Sequence, residues 1–233
     1  MQALLRSRLA RGGAAVFASG AAFASGSSTF CLTLPTHLLD AEFDATVAAH
    51  KAEVEDTLKD IDVEGIAAHF QSQRNDRQFI WQTLRNDERM LNRVAMWSWL
   101  AQPAEAAGNG EVTVGLARVG AVVRVGDALN GPPNLVHGGC SAALLDDLFA
   151  WCVFREREAQ GLPKDTRILT ANLNVNYKRP VPENAVYYIK IATERIEKQK
   201  KVFLTATLYD KNGHACVEAK CLYIILKPRP QPG

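Results

Sequence analysis

The sequence lacks the features of a membrane protein or of a nucleic-acid-binding protein. Its 233 residues carry 27 Lys and Arg against 25 Asp and Glu, a formal net charge of +2. Such a near-neutral chain has no basic face broad enough to neutralise a polyphosphate backbone, so we expect no nucleic-acid partner. Its N-terminal apolar residues are diluted by Gly and Ser and do not form the roughly 20-residue apolar run of a membrane span. We therefore expect no stable membrane insertion.

The cysteines form no Cys-x-x-Cys pair, and their number, five, is odd. A disulfide framework and a structural zinc site both depend on paired cysteines, so neither is expected. This cysteine usage fits a reducing compartment, and we expect neither a metal nor a cofactor.

Acidic residues are absent from residues 1–39, which contain Arg6, Arg8 and Arg11. The segment is also rich in Ala, Gly and Ser, a composition typical of an organelle transit peptide. A secretory signal would need a more apolar central region, and a disordered tail is the plainer alternative. We predict a mitochondrial transit peptide here and a mitochondrial location, in the matrix. The rest of the chain then carries 27 − 3 = 24 bases against 25 acids.

Residues 40–92 form a charged segment that we interpret as an N-terminal helical extension. Apolar residues recur at spacings of three or four, first around Phe43 and then through Leu58 and Ile61, which predicts helix. We expect two helices, the second beginning near Arg77.

Residues 93–228 are interpreted as one α+β domain. Alternating apolar residues predict two antiparallel strands on either side of a Gly-bearing connection at residues 102–110. The Asn212-Gly213 pair predicts a type I′ hairpin turn, because both central positions of that turn take positive φ. Four further strands are predicted at residues 168–177, 186–196, 202–209 and 216–226, with residues 197–200 forming the hairpin between the second and the third.

One apolar helix is predicted from Gly138 to about Arg155, between the two groups of strands. Apolar residues cover most of its circumference, and a helix of this kind must be buried. The predicted architecture is therefore an antiparallel sheet of about six strands wrapped around one long central helix.

The start of this helix carries two glycines, Gly138 and Gly139, directly after His137. Free backbone N–H groups and the helix dipole make such a first turn a site for an anion or a developing oxyanion. A plain glycine-rich loop is the alternative interpretation.

Two aspartates, Asp146 and Asp147, interrupt the apolar run of the same helix. Burying an ionised carboxylate costs several kcal/mol unless it is paired or hydrogen-bonded. We expect at least one of the two to face a cavity or an interface, although an aspartate at an exposed helix edge would need no such role.

Three features of this region together resemble the HotDog-fold acyl-coenzyme A thioesterases, particularly their mitochondrial long-chain branch. They are the run His137-Gly138-Gly139, an aspartate nine positions after the histidine, and the segment from Thr170 to Pro180. The resemblance implies a HotDog fold and hydrolysis of fatty acyl-coenzyme A thioesters.

The resemblance also implies roles for individual residues. The N–H of Gly138 would polarise the thioester carbonyl, while His137 and Gly139 shape the turn. Asp146 would act as general base or as nucleophile, and Thr170 would orient the attacking water.

The candidate substrate-binding residues are Gly139, Asn134, Lys178 and Arg179. Lys178 and Arg179 follow a predicted strand and are expected to reach the phosphates of coenzyme A, although basic residues at a strand end are often only solvated. Some relatives carry an asparagine six residues before the histidine, where this chain has Gly131. Asn134 lies nearby but does not fill that position, so no second oxyanion donor is assigned.

If Gly138 and Asp146 have the roles that the resemblance implies, their spacing requires more than one subunit. Eight residues at about 1.5 Å rise per residue place them roughly 12 Å apart along one helix, so they cannot both touch one carbonyl carbon. Two antiparallel central helices across a two-fold axis would bring Gly138 of one subunit to Asp146 of the other. We expect a homodimer, or a dimer of dimers, with active sites at the subunit interface.

Thr170 presents a difficulty for this arrangement. Strict alternation along its strand places it on the same face as Asn172 and Asn174, away from the apolar side. Only a β-bulge or a dimer interface would bring it to the substrate.

Other functions remain open at this point. Cys140 lies in the first helical turn, where a helix dipole lowers the pKa of a thiol, and His137 is three residues away, so Cys–His acyl transfer is conceivable. A HotDog hydratase would need a histidine paired with an acid, for which only His137 with Asp146 is available. A non-catalytic acyl-coenzyme A-binding protein or regulatory scaffold is the alternative from a different class.

Overall fold

The computed structural model describes residues 36–54, 58–62, 80, 84, 89–101, 116–162 and 166–226. These residues form two helices and seven strands. In chain order they are α1 (Thr36–Lys51), β1 (Lys59–Ile61), β2 (Leu91–Leu100), β3 (Ala117–Val125), α2 (Gly138–Ala159), β4 (Arg167–Tyr177), β5 (Ala185–Glu197), β6 (Lys201–Tyr209) and β7 (Ala215–Leu226).

The strands belong to one antiparallel sheet in the order β1-β2-β3-β5-β6-β7-β4, so β1 and β4 are its edges. The two strands predicted around residues 102–110 are β2 and β3, and that connection lies outside the described residues. The four later strands are found within one residue of their predicted bounds. The α+β prediction is confirmed.

The two helices lie on opposite faces of the sheet. Val122 packs with Phe43 of α1, whereas its neighbours Ala121 and Val123 belong to the cluster that contains α2. Leu148 and Phe149 of α2 are fully buried in that cluster, as a helix apolar around its circumference must be. The predicted buried central helix is confirmed. Over the described residues, neither helix is both long and apolar enough to cross a membrane.

The prediction for the N-terminal segment is correct only in part. α1 is the first predicted helix, but it ends at Lys51, and its predicted continuation through Leu58 and Ile61 is wrong, because β1 lies there and pairs with β2. The spacing of apolar residues is a weak prior, and pairing with an open sheet edge overrides it. The helix predicted from Arg77 lies outside the described residues, apart from Ile80 and Leu84, which are buried in the core.

α2 continues four residues beyond its predicted end, to Ala159. Glu156, which falls in the extension, is only 1% exposed. Its Oε2 accepts the backbone N–H of Ala117 at 2.8 Å, and its Oε1 accepts the side-chain amide of Gln160 at 3.1 Å. The buried carboxylate therefore fastens the C-terminal part of α2 to the start of β3.

The type I′ turn is at a different hairpin from the one predicted. Asn212 does not have positive φ, and Gly213 alone does, at 77°. The β6–β7 hairpin is a three-residue loop, closed by hydrogen bonds between Asp210 and His214 and ending in a left-handed glycine. At the β5–β6 hairpin, both Lys198 and Gln199 have positive φ, at 54° and 50°, as a type I′ turn requires.

His137 is the N-cap of α2. Its backbone is extended, with φ −61° and ψ 131°, and its ring Nδ1 accepts the N–H of Gly139 at 3.0 Å. The cap satisfies one of the donors that every helix start leaves without an intrahelical partner. It also fixes where the first turn of α2 begins.

The capping role of His137 predicts a difference between two substitutions. His137→Ala removes the acceptor and should lower the free energy of unfolding by about 1 kcal/mol, the usual cost of losing an N-cap. His137→Asn retains a capping oxygen and should lose less than half as much. Urea unfolding followed by circular dichroism compares both variants with the wild type, and equal losses in the two would contradict the capping role.

Candidate active site

Asp146 lies in the middle of α2 and receives hydrogen bonds from two strands. Thr170 Oγ1, on β4, donates to Asp146 Oδ1 at 2.9 Å. The hydroxyl of Tyr223, on β7, lies 3.2 Å from the same Oδ1 and 2.8 Å from the backbone carbonyl oxygen of Asp146. The structure thus brings together Asp146 and Thr170, which the sequence singles out, and adds Tyr223, which it does not.

A β-bulge in β4 turns Thr170 towards the helix. The pairing of β4 with β7 shifts by one residue between Thr170 and Asn172. Before the bulge Thr170 reaches α2, and beyond it Leu173 and Val175 pack against the core. The extra residue reverses the alternation that would have pointed Thr170 away. Of the two solutions expected for this threonine, the bulge is present.

The first turn of α2 leaves one backbone donor available. The N–H of Gly139 is taken by the His137 ring, and those of Cys140 and Ser141 donate to the His137 carbonyl oxygen at 2.9 and 3.2 Å. Within the part of the chain that the structure describes, the N–H of Gly138 has no protein acceptor. Because the helix dipole adds partial positive charge here, this N–H can bind an anion or a developing oxyanion.

The two glycines make room for the side chains on either side of the turn. The Tyr177 hydroxyl donates to the Gly138 carbonyl oxygen at 2.7 Å, and a Cβ on Gly138 would lie 3.1 Å from Tyr177 Cζ. A Cβ on Gly139 would lie 2.9 Å from His137 Nδ1. Gly138 therefore allows the tyrosine contact, and Gly139 allows the cap to close.

The loop before the helix is shaped around the same histidine. A Cβ on Gly131 would lie 3.0 Å from His137 Cδ2, so the glycine leaves space for the ring. Asn134 has a φ of 62°, and its carbonyl oxygen accepts the N–H of Glu183. The structure thus places Asn134 in the turn that leads to the cap, where its backbone is part of the loop framework.

Lys178 and Arg179 are exposed and directly follow Tyr177, so they lie at the same end of α2 as Gly138. Lys178 Nζ lies 3.2 Å from Glu218 Oε2 in an exposed ion pair. An exposed pair of this kind contributes little stability, so it can be exchanged for another anion at small cost.

The structure argues against cysteine chemistry. Burial raises the pKa of the Cys140 thiol, the opposite of the lowering that a helix dipole alone would give. Nδ1 of His137 is already occupied by the Gly139 N–H, so it is not available as a base for the thiol. Cys140 instead packs against the apolar core, as free cysteines at apolar helix positions commonly do.

Two cavities differ in their relation to this site. A cavity of about 10 Å³ lies between α2 and the sheet, beside Cys140, Ser141 and Leu144, and its lining is almost wholly apolar. A much larger open groove of about 730 Å³ lies on the other face of the sheet, between α1 and residues of β5 and β6. Only the small cavity borders the helix that carries Gly138 and Asp146.

Comparisons with known proteins match the part of the chain that contains α2 and the strands after it. The family model described as "Thioesterase superfamily" matches residues 133–217, from the loop before α2 to the start of β7. The chain is 34% identical over 103 residues to the acyl-coenzyme A thioesterase THEM4 of Rattus norvegicus, a match that covers 43% of this chain and 40% of that protein. It therefore spans two fifths of the length of that relative.

Two more distant likenesses concern a yeast protein and a solved structure. The chain is 29% identical over 102 residues to the uncharacterized mitochondrial membrane protein FMP10 of Saccharomyces cerevisiae, covering 44% of this chain and 37% of that one. The crystal structure of BH2602 from Bacillus halodurans with CoA aligns with 46% of this chain and 66% of its own, at 23% identity and a TM-score of 0.40. Residues 133–217 thus match the thioesterase superfamily, and over two fifths of its length the chain is similar to the acyl-coenzyme A thioesterase THEM4.

Proposed function

We propose that the protein hydrolyses fatty acyl-coenzyme A thioesters to a free fatty acid and coenzyme A. The observation that carries the proposal is the pair of groups on α2: a carboxylate held by Thr170 and Tyr223, and a first-turn N–H without a protein acceptor. A base and an oxyanion donor suffice for a thioester, whose thiolate leaves with little acid assistance. The likeness to THEM4 supports acyl-coenzyme A as the substrate class.

Asp146, Thr170 and Gly138 have different roles in the proposed reaction. As general base, Asp146 takes a proton from a water that the Thr170 oxygen helps to orient, and the resulting hydroxide attacks the thioester carbon. The carbonyl oxygen becomes an oxyanion that accepts the Gly138 N–H. When the C–S bond breaks, the thiolate of coenzyme A takes the proton back from Asp146. If Asp146 is instead the nucleophile, the same N–H stabilises the oxyanion formed by its attack, and the C–S bond breaks to release the thiolate of coenzyme A. A water then hydrolyses the resulting mixed anhydride to fatty acid and free Asp146, while its proton goes to the thiolate.

The proposed active site needs a second subunit. Gly138 and Asp146 are parts of one continuous helix, roughly 12 Å apart, so one carbonyl group cannot contact both within a chain. β4 is an edge strand, and it exposes 53% of Leu169 and 50% of Tyr177. An open edge with exposed large apolar side chains favours pairing with a second copy.

The substrate would bind at the N-terminal end of α2. The acyl chain would extend along the apolar cavity between helix and sheet, which has to widen to admit it. Lys178 and Arg179 would contact the phosphates of coenzyme A. Gly139 and Asn134 would contribute to substrate binding by shaping the backbone of the turn beside these phosphates.

A mitochondrial location, in the matrix, completes the proposal. Residues 1–39 contain arginines and no acidic residue, as a transit peptide requires. The name of the yeast relative places that protein in mitochondria.

Replacing Asp146 tests whether the protein is an enzyme of this kind. Asp146→Asn keeps the shape of the side chain but removes its basic oxygen, so kcat for a fatty acyl-coenzyme A should fall about 10²–10⁴-fold. Thiol release measured with a chromogenic reagent over a series of chain lengths gives the rates. Cys140→Ala is the matched control on the same helix and should retain wild-type kcat. Acyl-coenzyme A binding without turnover in the wild type would favour the non-catalytic alternative.

Subunit complementation tests the composite site. Gly138→Pro deletes the N–H at the first helical position, where proline is tolerated, and should lower kcat about 10²–10³-fold relative to Gly138→Ala, which adds a similar Cβ but keeps the N–H. In a 1:1 mixture of reassembled Gly138→Pro and Asp146→Asn subunits, half of the dimers are mixed and each has one intact site. Such a mixture should regain about a quarter of wild-type activity. No recovery would mean that both groups act within one subunit.

A further inference from the structure

Tyr223 makes contacts at Asp146 that the proposed reaction does not yet use. Its ring is 4% exposed in the core, and its hydroxyl reaches both the backbone carbonyl oxygen of Asp146, at 2.8 Å, and the carboxylate Oδ1, at 3.2 Å. A buried tyrosine hydroxyl usually has a hydrogen-bond partner. This one lies between two oxygens of the same residue.

The two hydroxyls at Asp146 converge on one of its two carboxylate oxygens. Thr170 donates to Oδ1 from β4 and Tyr223 approaches the same oxygen from the neighbouring strand β7, where the two residues are cross-strand partners. Oδ2 receives no donor from the residues that the structure describes. The two oxygens of the carboxylate are therefore chemically distinct before any substrate binds.

We propose that Tyr223 is a positioning residue that, together with Thr170, holds Oδ1 and thereby makes Oδ2 the oxygen that acts on the water or on the thioester. This assignment rests on the proposed function. A single donor can fix the distance to a carboxylate but not its rotation about the Cβ–Cγ bond. Two donors from different strands hold Oδ1 at one place and restrict that rotation as well, so Oδ2 keeps a constant direction.

The bond to the backbone gives Tyr223 a second effect. By donating a hydrogen bond to the carbonyl oxygen of Asp146, Tyr223 fixes the position of that residue relative to the sheet. Tyr177 does the same at Gly138. The two tyrosines lie on adjacent strands, β7 and β4, which are paired along their length. Gly138 and Asp146 are thus both held by tyrosines on the same pair of strands.

Tyr223 stays a donor throughout the pH range of an assay. Burial is the main cause that raises the pKa of its hydroxyl, and the nearby Asp146 charge adds to it. Thr170 on β4 contacts the Asp146 carboxylate, and Cys221 on β7 lies close enough for the Asp146 charge to act on its thiol. Burial first, and then the Asp146 charge, raise the pKa of the Cys221 thiol to about 12, so it stays neutral as well.

The test is Tyr223→Phe, which removes the hydroxyl and keeps the ring. We expect kcat to fall about 10-fold or more, the size expected for a lost hydrogen bond to a charged group, with KM unchanged because Tyr223 does not touch the substrate. The acidic limb of the pH profile of kcat/KM should move to higher pH, because the ionised carboxylate has lost a donor that favours it. In an Asp146→Asn background the same change should have no further effect on kcat.

Tyr187→Phe is the matched control. Tyr187 is 2% exposed, and its hydroxyl donates to the Pro182 carbonyl oxygen at 2.6 Å, so the variant also loses one buried tyrosine hydrogen bond. It should lose stability to urea much as Tyr223→Phe does, while its kcat and pH profile stay at wild-type values.

The outcomes separate this proposal from the function on which it rests. If the wild type is active, Asp146→Asn is inactive and Tyr223→Phe behaves like Tyr187→Phe, the positioning role is wrong and the thioesterase function stands. A lower kcat with an unmoved pH profile, or a further loss in the Asp146→Asn background, would show a general structural effect and also overturn it. A wild type that hydrolyses no acyl-coenzyme A removes the function and the positioning role together.

Discussion

The hydrogen bonds that hold the Asp146 carboxylate, in the middle of the helix that packs against the sheet, determine where the candidate site lies in the domain. Asp146 interrupts a run of apolar residues that packs against the sheet, and its side chain is half-buried, so hydrogen-bond donors stabilise its charge. Thr170 and Tyr223 supply donors, and both lie on the last two strands in the sheet order. The site is therefore at the β4 edge of the sheet.

The position of the bulge follows from the same hydrogen bonds. Thr170 reaches the helix only because β4 carries one extra residue, and such a residue disturbs the hydrogen bonding of every strand beside it. β4 is an edge strand and has one neighbour within the described sheet, so only the β4–β7 ladder is affected. The same edge leaves Leu169 and Tyr177 exposed, which is where a second copy would have to pair.

The sequence predicts those parts of the fold and site that depend on neighbours along the chain. The apolar circumference of α2, the four C-terminal strands and the turn at His137 and Gly138 are local patterns, and the structure contains them. Tyr223 is not predictable in this way, because its partner is 77 residues away and its own surroundings in the chain are those of any buried strand. β1 and the turn at Lys198 and Gln199 depend on tertiary pairing rather than on residue type.

Hydrogen bonds hold helix α2 to the sheet at three positions along its length. They are donated to Gly138 by Tyr177, to Asp146 by Tyr223, and to Glu156 by the N–H of Ala117. A slide of even one residue along the helix axis, about 1.5 Å, would break all three contacts at once. The position of the helix along its own axis is therefore fixed relative to the sheet. Side chains between these three positions can change in volume, and with them the space beside the helix, while Gly138 and Asp146 keep their positions on the sheet. Substrate length and reaction chemistry can thus diverge independently in a domain built this way.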